Sequence, residues 1–364
     1  MAYSSIAKPT DYFNTVLYTG DLQDSDGTGH TQSITGVGFQ PDWVWHKGRS
    51  GARTHMIVDR VRGVSSYNWL ASNGSGAELT TNTNGAISSI DSDGITVQNG
   101  NDSSSKSNNA GKNGETWVFW NWLAGGSTSS NGNGSITSTV SNNSTSGFSI
   151  GTYTGNGTAG ATVGHGLGAT PDVLIVKERG NTNSWVFSHK DLTDQSGYYL
   201  LLNSTGAQAT DNWFNNTSPT STVFSTNSTP TNRSSGTYVF YAFKEVKGYS
   251  KFGSYTGNGN ADGPFIYTGF KPAFLIIKPY SKVEEWTLLD NKRLGYNTDN
   301  NYVYPNQNYA EMTADRLDIL SNGFKLRSAT GELNTSTANM IYMAFAENPF
   351  VANDSGTAVP TTAR

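Results

Sequence analysis

The chain has 364 residues, enough for two or three domains that each bury a core, and only 14% of them are charged, for a formal net charge of -4. That balance excludes the basic footprint of a nucleic-acid-binding surface, and the absence of cysteine excludes disulfides and thiolate metal sites. Aromatic residues at 12%, 41 glycines and long runs of Ser, Thr and Asn suit short strands joined by many turns.

In chain order, MAYSSIAKPTDYF lacks the basic region and apolar core of a secretory signal, and no run reaches the length of a membrane span. Residues 1–10 read as an N-terminal anchor segment. Residues 11–123 form a first unit that opens on Tyr-Thr-Gly at Tyr18 and closes on WVFWNW from Trp117. Residues 124–146, rich in Gly, Ser, Asn and Thr, read as a flexible linker. A second unit, 147–247, runs from YTG at Tyr153 to YVFYAF from Tyr238, and a third, 248–350, from YTG at Tyr255 to MIYMAF from Met340. Residues 351–364 read as a polar tail. With almost nothing between the second and third units, those two are expected to be fixed against each other and the first to stand apart.

Each unit carries the same skeleton: Tyr-Thr-Gly, a loop, a glycine followed by Phe or Leu, a proline, an apolar run and a lysine. The glycines are Gly38, Gly166 and Gly269, the prolines Pro41, Pro171 and Pro272, and the lysines Lys47, Lys177 and Lys278. Two markers at matching separations in three places make the repeat the dominant signal. DVLIVK and YVFYAF are apolar at consecutive positions, as in strands buried on both faces. Helical periodicity is confined to NYAEMTADRL, residues 308–317. Strands without intervening helices imply antiparallel pairing, so the predicted fold is all-β, with three tandem β-sandwich domains of jelly-roll or lectin-like type. The stretch from Tyr-Thr-Gly to Gly-Phe is predicted to be a β-hairpin.

The glycine turn around His165 resembles a phosphate loop only when read alone. Its histidine becomes Val37 and Thr268 in the other units, and the turn opens a strand, whereas phosphate binding requires a helix N-terminus. His165 is therefore read as a polar turn residue. His189 aligns with Asp59 and Asp290, and Trp185 with His55 and Trp286; polar strand ends account for the first series. The lysines are read as structural, each laying its stem on apolar surface and sending its ammonium into water. DLQDSDGTG, from Asp21, and DSDG, from Asp91, offer hard oxygen ligands suited to calcium, but without EF-hand spacing, and Asp and Gly are ordinary turn formers. Glu284, Glu285 and Asp290 beside Trp286 read as a solvated edge rather than the opposed carboxylates of a glycosidase. No catalytic, cofactor-binding or metal-ligating residue is assigned, and no cofactor is expected.

KPTDYFNTVLYTG, the repeated YTGNG…GHGLG..PD..IVK, and YMAFAENPF followed by a VP..AR tail resemble virion structural proteins of tailed bacteriophages, particularly of marine and cyanobacterial phages. The resemblance implies lectin-like β-sandwich repeats of the SPRY or concanavalin-like kind and a non-enzymatic particle-surface protein: a tail fibre or adhesin, or a capsid fibre or decoration. Its expected partners are other virion proteins, host surface polysaccharide and copies of itself, with a trimer favoured; nucleic acid and membrane insertion are not among them. Synthesis in the host cytoplasm and release by lysis account for a chain read without signal peptide or disulfides. A polysaccharide depolymerase tailspike and a secreted cellular lectin are the rival readings.

Overall fold

The computed structural model describes residues 5–64, 67–293 and 297–349. The expected 351–364 tail and the first four residues of the anchor segment lie outside them. The chain is nearly all β. Each repeat builds the same four-stranded antiparallel motif. An opening strand (Phe13–Thr19, Phe148–Thr154, Ser250–Thr256) pairs with the closing strand (Thr116–Trp122, Thr237–Phe243, Asn339–Pro349). The closing strand pairs in turn with a core strand (Trp43–Gly48, Val173–Glu178, Phe270–Pro279), and that with a flanking strand (Met56–Asp59, Val186–His189, Thr287–Asp290).

The predicted hairpin does not form. The opening strand finds its partner about 100 residues downstream, while the chain after Tyr-Thr-Gly crosses into a second, smaller layer. There Thr31–Thr35 pairs with Gly94–Gln98, Thr162–Gly164 with Val223–Ser225, and Phe265–Tyr267 with Gly323–Leu326. The expected helix at 308–317 is likewise replaced by extended chain, with strands Met312–Ala314 and Leu317–Leu320; a single helical turn lies later, at Gly331–Asn334. Tyr302 pairs with Met312 and Leu317 with Leu326, so tertiary partners override the weak local periodicity.

The consecutive apolar runs follow from what covers the two faces of each main sheet. One face packs against its own small sheet: Val44, Phe119 and Ile95 share one core, Leu174, Phe240 and Phe224 a second, and Leu275, Tyr342 and Phe324 a third. The alternate residues of all three main sheets meet in one common core, among them Trp43, Trp120 and Trp122, Ile175, Tyr241 and Phe243, and Phe274, Ile276 and Phe345. The gap left where the three faces converge is only about 10 Å³ and wholly apolar, lined by Trp43, Ile175, Phe187, Phe274 and Phe345 among others.

Two expectations about the organisation of the chain are therefore corrected. Within residues 124–146, Ser129–Asn131 and Ser138–Asn143 are strands, and the second pairs along Phe148–Tyr153 to extend the second repeat's sheet. Ile136 and Val140 supply buried apolar contacts and Ser138 Oγ donates to Gly164 O at 2.6 Å, so small polar residues serve as sheet edge. Nor does the first repeat stand apart, since its tryptophans occupy the common core. The anchor segment's described part folds back too: Ile6 is buried in that core, and beside it Phe13 stacks on Phe345 at 5.5 Å.

Candidate functional site

The glycine turn resolves into two backbone requirements. Gly38, Gly166 and Gly269 have φ of 88°, 74° and 84°, the left-handed conformation that side chains resist. The glycine of each Tyr-Thr-Gly (Gly20, Gly155, Gly257) packs where a Cβ would enter the backbone carbonyl of Gly111, Arg233 or Thr335. Pro41 and Pro171 precede their core strands by two residues, and Pro272 sits at a register shift inside its own, positions where a missing N–H breaks no ladder. His165 is buried rather than a polar turn residue at the surface. Its Nδ1 accepts from Leu167 N at 3.2 Å, so Nε2 carries the proton it donates to Thr220 O at 3.1 Å, and burial lowers its pKa.

The lysines correct the sequence reading most clearly, because none sends its ammonium to water: Lys47, Lys177 and Lys278 are 0%, 1% and 0% exposed. Each ammonium donates to backbone carbonyls. Lys47 reaches Arg53 O at 2.5 Å and, in the third repeat, Asn308 O at 3.2 Å. Lys278 reaches Glu284 O at 2.7 Å and, in the second repeat, Thr205 O at 3.0 Å. Lys177 donates to Glu178 O. Burial pulls Lys47 down to about 7, with Arg53 and Arg293 adding to the effect, Lys278 to about 7 and Lys177 to about 8.

These lysines stand at the joints between repeats, where equivalent positions make equivalent bonds. Glu78 N donates to Arg179 O, Gln208 N to Tyr280 O and Glu311 N to Arg49 O, each at 2.7 Å. At the aligned positions Trp185, Trp286 and His55, a ring nitrogen donates to a carbonyl of another repeat: Trp185 Nε1 to Ala71 O at 2.7 Å, Trp286 Nε1 to Leu201 O at 3.0 Å, and His55 Nε2 to Tyr304 O at 3.0 Å. The His55 tautomer is fixed because Nδ1 accepts from Trp45 Nε1 at 2.9 Å. Asp59, His189 and Asp290 form the third such set. Asp59 accepts from Tyr241 Oη at 2.8 Å, Asp290 from Trp120 Nε1 at 2.9 Å, and His189 Nε2 donates to Tyr342 O at 3.3 Å. First joins second, second joins third and third joins first, so the joints close into a ring.

Two joints carry a charged network that residue-by-residue reading misses. Asp59, Arg62, Glu78 and Arg179 link the first and second repeats, with Arg62 to Glu78 at 2.6 Å and Arg179 to Glu78 at 2.7 Å. Asp290, Arg293, Glu311 and Arg49 link the third and first, with Arg293 to Glu311 at 3.1 Å and Arg49 to Glu311 at 2.9 Å. The signal available in sequence is Asp-x-x-Arg in repeats one and three and Lys-x-Arg in repeats one and two. At the remaining joint the same positions hold His189, Leu192, Gln208 and Tyr280.

The remaining candidates are absorbed by local structure. Asp290 is a buried hub rather than part of a solvated edge, while Glu285 accepts from Gln307 Nε2 at 3.1 Å. Asp24 accepts from Ser107 Oγ at 3.0 Å and Lys112 at 3.3 Å; burial pushes its pKa up, but these donors hold it below its usual value. Asp93 accepts from Gly38 N at 2.6 Å and Gly36 N at 3.1 Å, and these backbone bonds lower its pKa. Among the described residues no group of three or more His, Asp or Glu is placed to hold a metal, and no helix is long and apolar enough to cross a membrane. What the arrangement supplies chemically is a three-lobed body whose repeat-equivalent polar side chains are spent on joining the lobes.

No curated protein and no solved structure matches the chain. The profile of one family, described as a domain of unknown function (DUF7483), matches residues 8–349, and the chain belongs to that family.

Proposed function

We propose that the protein is a non-enzymatic structural component of a tailed-bacteriophage particle surface, a fibre, adhesin or decoration held by other virion proteins and presenting its outer loops to solvent or to host surface glycans. The observation that supports it best is the use made of the repeat-equivalent polar positions. The lysines, the Trp/His series and the Asp/His series are spent on backbone carbonyls and on partners in neighbouring repeats. The polar positions that recur in the three repeats thus go into rigidity. The resemblance of the Tyr-Thr-Gly and AFAENPF segments to virion proteins supplies the particle. Under this reading the protein is made in the host cytoplasm and assembles with copies of itself, a trimer being favoured.

The test is immunogold labelling and cryo-electron microscopy of purified particles, with the protein incubated in parallel with host polysaccharide. Labelling at fixed sites on head or tail is expected. Absence of the protein from particles overturns the virion assignment, and new reducing ends overturn the non-enzymatic one.

A further inference from the structure

We propose that the first repeat carries a binding groove for a neutral saccharide, walled in part by a tyrosine that the other two repeats lack. It names a ligand class for the attachment role proposed above and, in taking this face as the one presented outward, rests on that reading. The groove lies between the 28–29 turn, residues 80–82 and the 98–101 segment, and measures about 360 Å³, within the ~300–1,000 Å³ of small-molecule sites.

Three features point to an uncharged, hydroxyl-rich ligand. Its lining carries hydroxyls and carboxamides, from Thr80, Thr81, Asn82, Gln98 and Asn101 among others, and among the described residues no ionisable acid or base except one phenol. Such groups can both donate to and accept from sugar hydroxyls, and offer an ionic ligand no counter-charge. The phenol belongs to Tyr67, the one aromatic side chain among the described residues of the wall, whose ring is only partly buried against the repeat's core and so can offer apolar surface to a pyranose ring. Counting back from the equivalent strand pairs Ile57–Leu70, Phe187–Leu200 and Leu288–Val303, Tyr67 is replaced by Gly197 and Asn300 in the other repeats. Tyr67 also has a φ of 55°, a conformation a bulky residue seldom takes unless its surroundings hold it there.

The walls are fixed before any ligand arrives. Buried Asn99 accepts from Gly29 N and His30 N, both at 2.8 Å, and donates to Gly27 O at 2.9 Å, pinning the turn. Tyr67 Oη donates to Gln98 Oε1 at 2.8 Å, and Gln98 Nε2 to Gly29 O at 3.0 Å. Asn82 Nδ2 donates to Asn99 O at 2.9 Å, while its buried Oδ1 has no partner among the described residues. A pre-organised wall of donors and acceptors suits a ligand rich in hydroxyls.

The experiment is saturation-transfer NMR and titration of the full chain with glucose, galactose, N-acetylglucosamine, maltose and, as the acidic counterpart, glucuronate. At least one neutral sugar is expected to bind, Tyr67→Ala to weaken it about tenfold, Thr81→Trp at the exposed rim to block it, and Tyr309→Ala on the third repeat to leave it unchanged. Thr81→Trp serves independently if Tyr67→Ala lowers the melting temperature. No binding by any neutral sugar, equal binding of glucuronate, or binding that survives both groove variants overturns the proposal. Sugar binding by a protein absent from purified particles would refute the virion reading alone; presence on particles without sugar binding would refute the groove alone.

Discussion

The indole of Trp120, in the first repeat, donates a 2.9 Å hydrogen bond to the carboxylate of Asp290, in the third, and both side chains are buried. The same carboxylate receives Arg293 Nε at 2.7 Å and the backbone N–H groups of Lys292 and Arg293, each at 3.0 Å. Asp290→Ala therefore strips a buried guanidinium of its nearest counter-charge and should cost about 3–5 kcal/mol. Trp120→Phe leaves that ion pair standing and should cost about 1–2 kcal/mol. Denaturant unfolding of the two variants checks the order, and equal losses would sink the view of Asp290 as a hub.

The buried lysines set a pH dependence. With folded pKa values of about 7 for Lys47 and Lys278 and about 8 for Lys177, against about 10.4 unfolded, the unfolded chain holds more protons between those limits. Stability should therefore rise with pH from about 7 towards 10. Lys278→Met should flatten the slope by up to about 1.4 kcal/mol per pH unit. Urea midpoints at pH 7, 8 and 9 measure it; a slope unchanged by the substitution contradicts the burial argument.

Acid should act through the histidines. Burial holds His46 and His189 at about 3 and lowers His55 and His165. Below about pH 6.5 the unfolded chain takes up protons that these rings refuse, so stability should fall as pH drops. His189→Gln should reduce the stability difference between pH 6.5 and 5.0 by about 2 kcal/mol. Guanidinium unfolding at those two pH values would show no change if the ring were open to protons in the native state.

Backbone crowding distinguishes two glycines that sequence treats alike. Gly155→Ala drives a methyl into the Arg233 carbonyl and should cost roughly 3 kcal/mol. Gly168→Ala meets open space and bears only the left-handed strain of its φ of 71°, about 1–2 kcal/mol. Thermal melts of the pair decide the matter, and a Gly168→Ala loss matching that of Gly155→Ala would show the close approach to be relieved elsewhere.

The repeat markers and strand character were legible because they are written in local sequence: aromatic and β-branched runs, turn glycines and a proline at each core strand. Where the second faces of those runs go was not legible. Trp43 and Trp122 look like core residues of one small sandwich, yet the other two repeats supply their cover, from more than 100 residues away. For the same reason Lys47 looked like a strand-end lysine bound for water; its capping carbonyl on Asn308 lies 261 residues downstream. Ser138–Asn143 is a different case, since small polar residues read as linker when no partner strand is in view. By sequence Tyr67 is a lone tyrosine in a loop, and only its place opposite Gln98 gives it meaning.

Phe13 stacked on Phe345 carries one more consequence. The first strand and the last belong to different sheets but meet ring to ring in the common core, so the described chain ends close to where it begins and the order of the repeats along it is immaterial to the packing. New termini cut into the exposed turn at Asn133, with residues 349 and 5 bridged by a linker so that Ile6 keeps its place in the core, should give a circular permutant that keeps every joint. Its order along the gene would change while its ring would not.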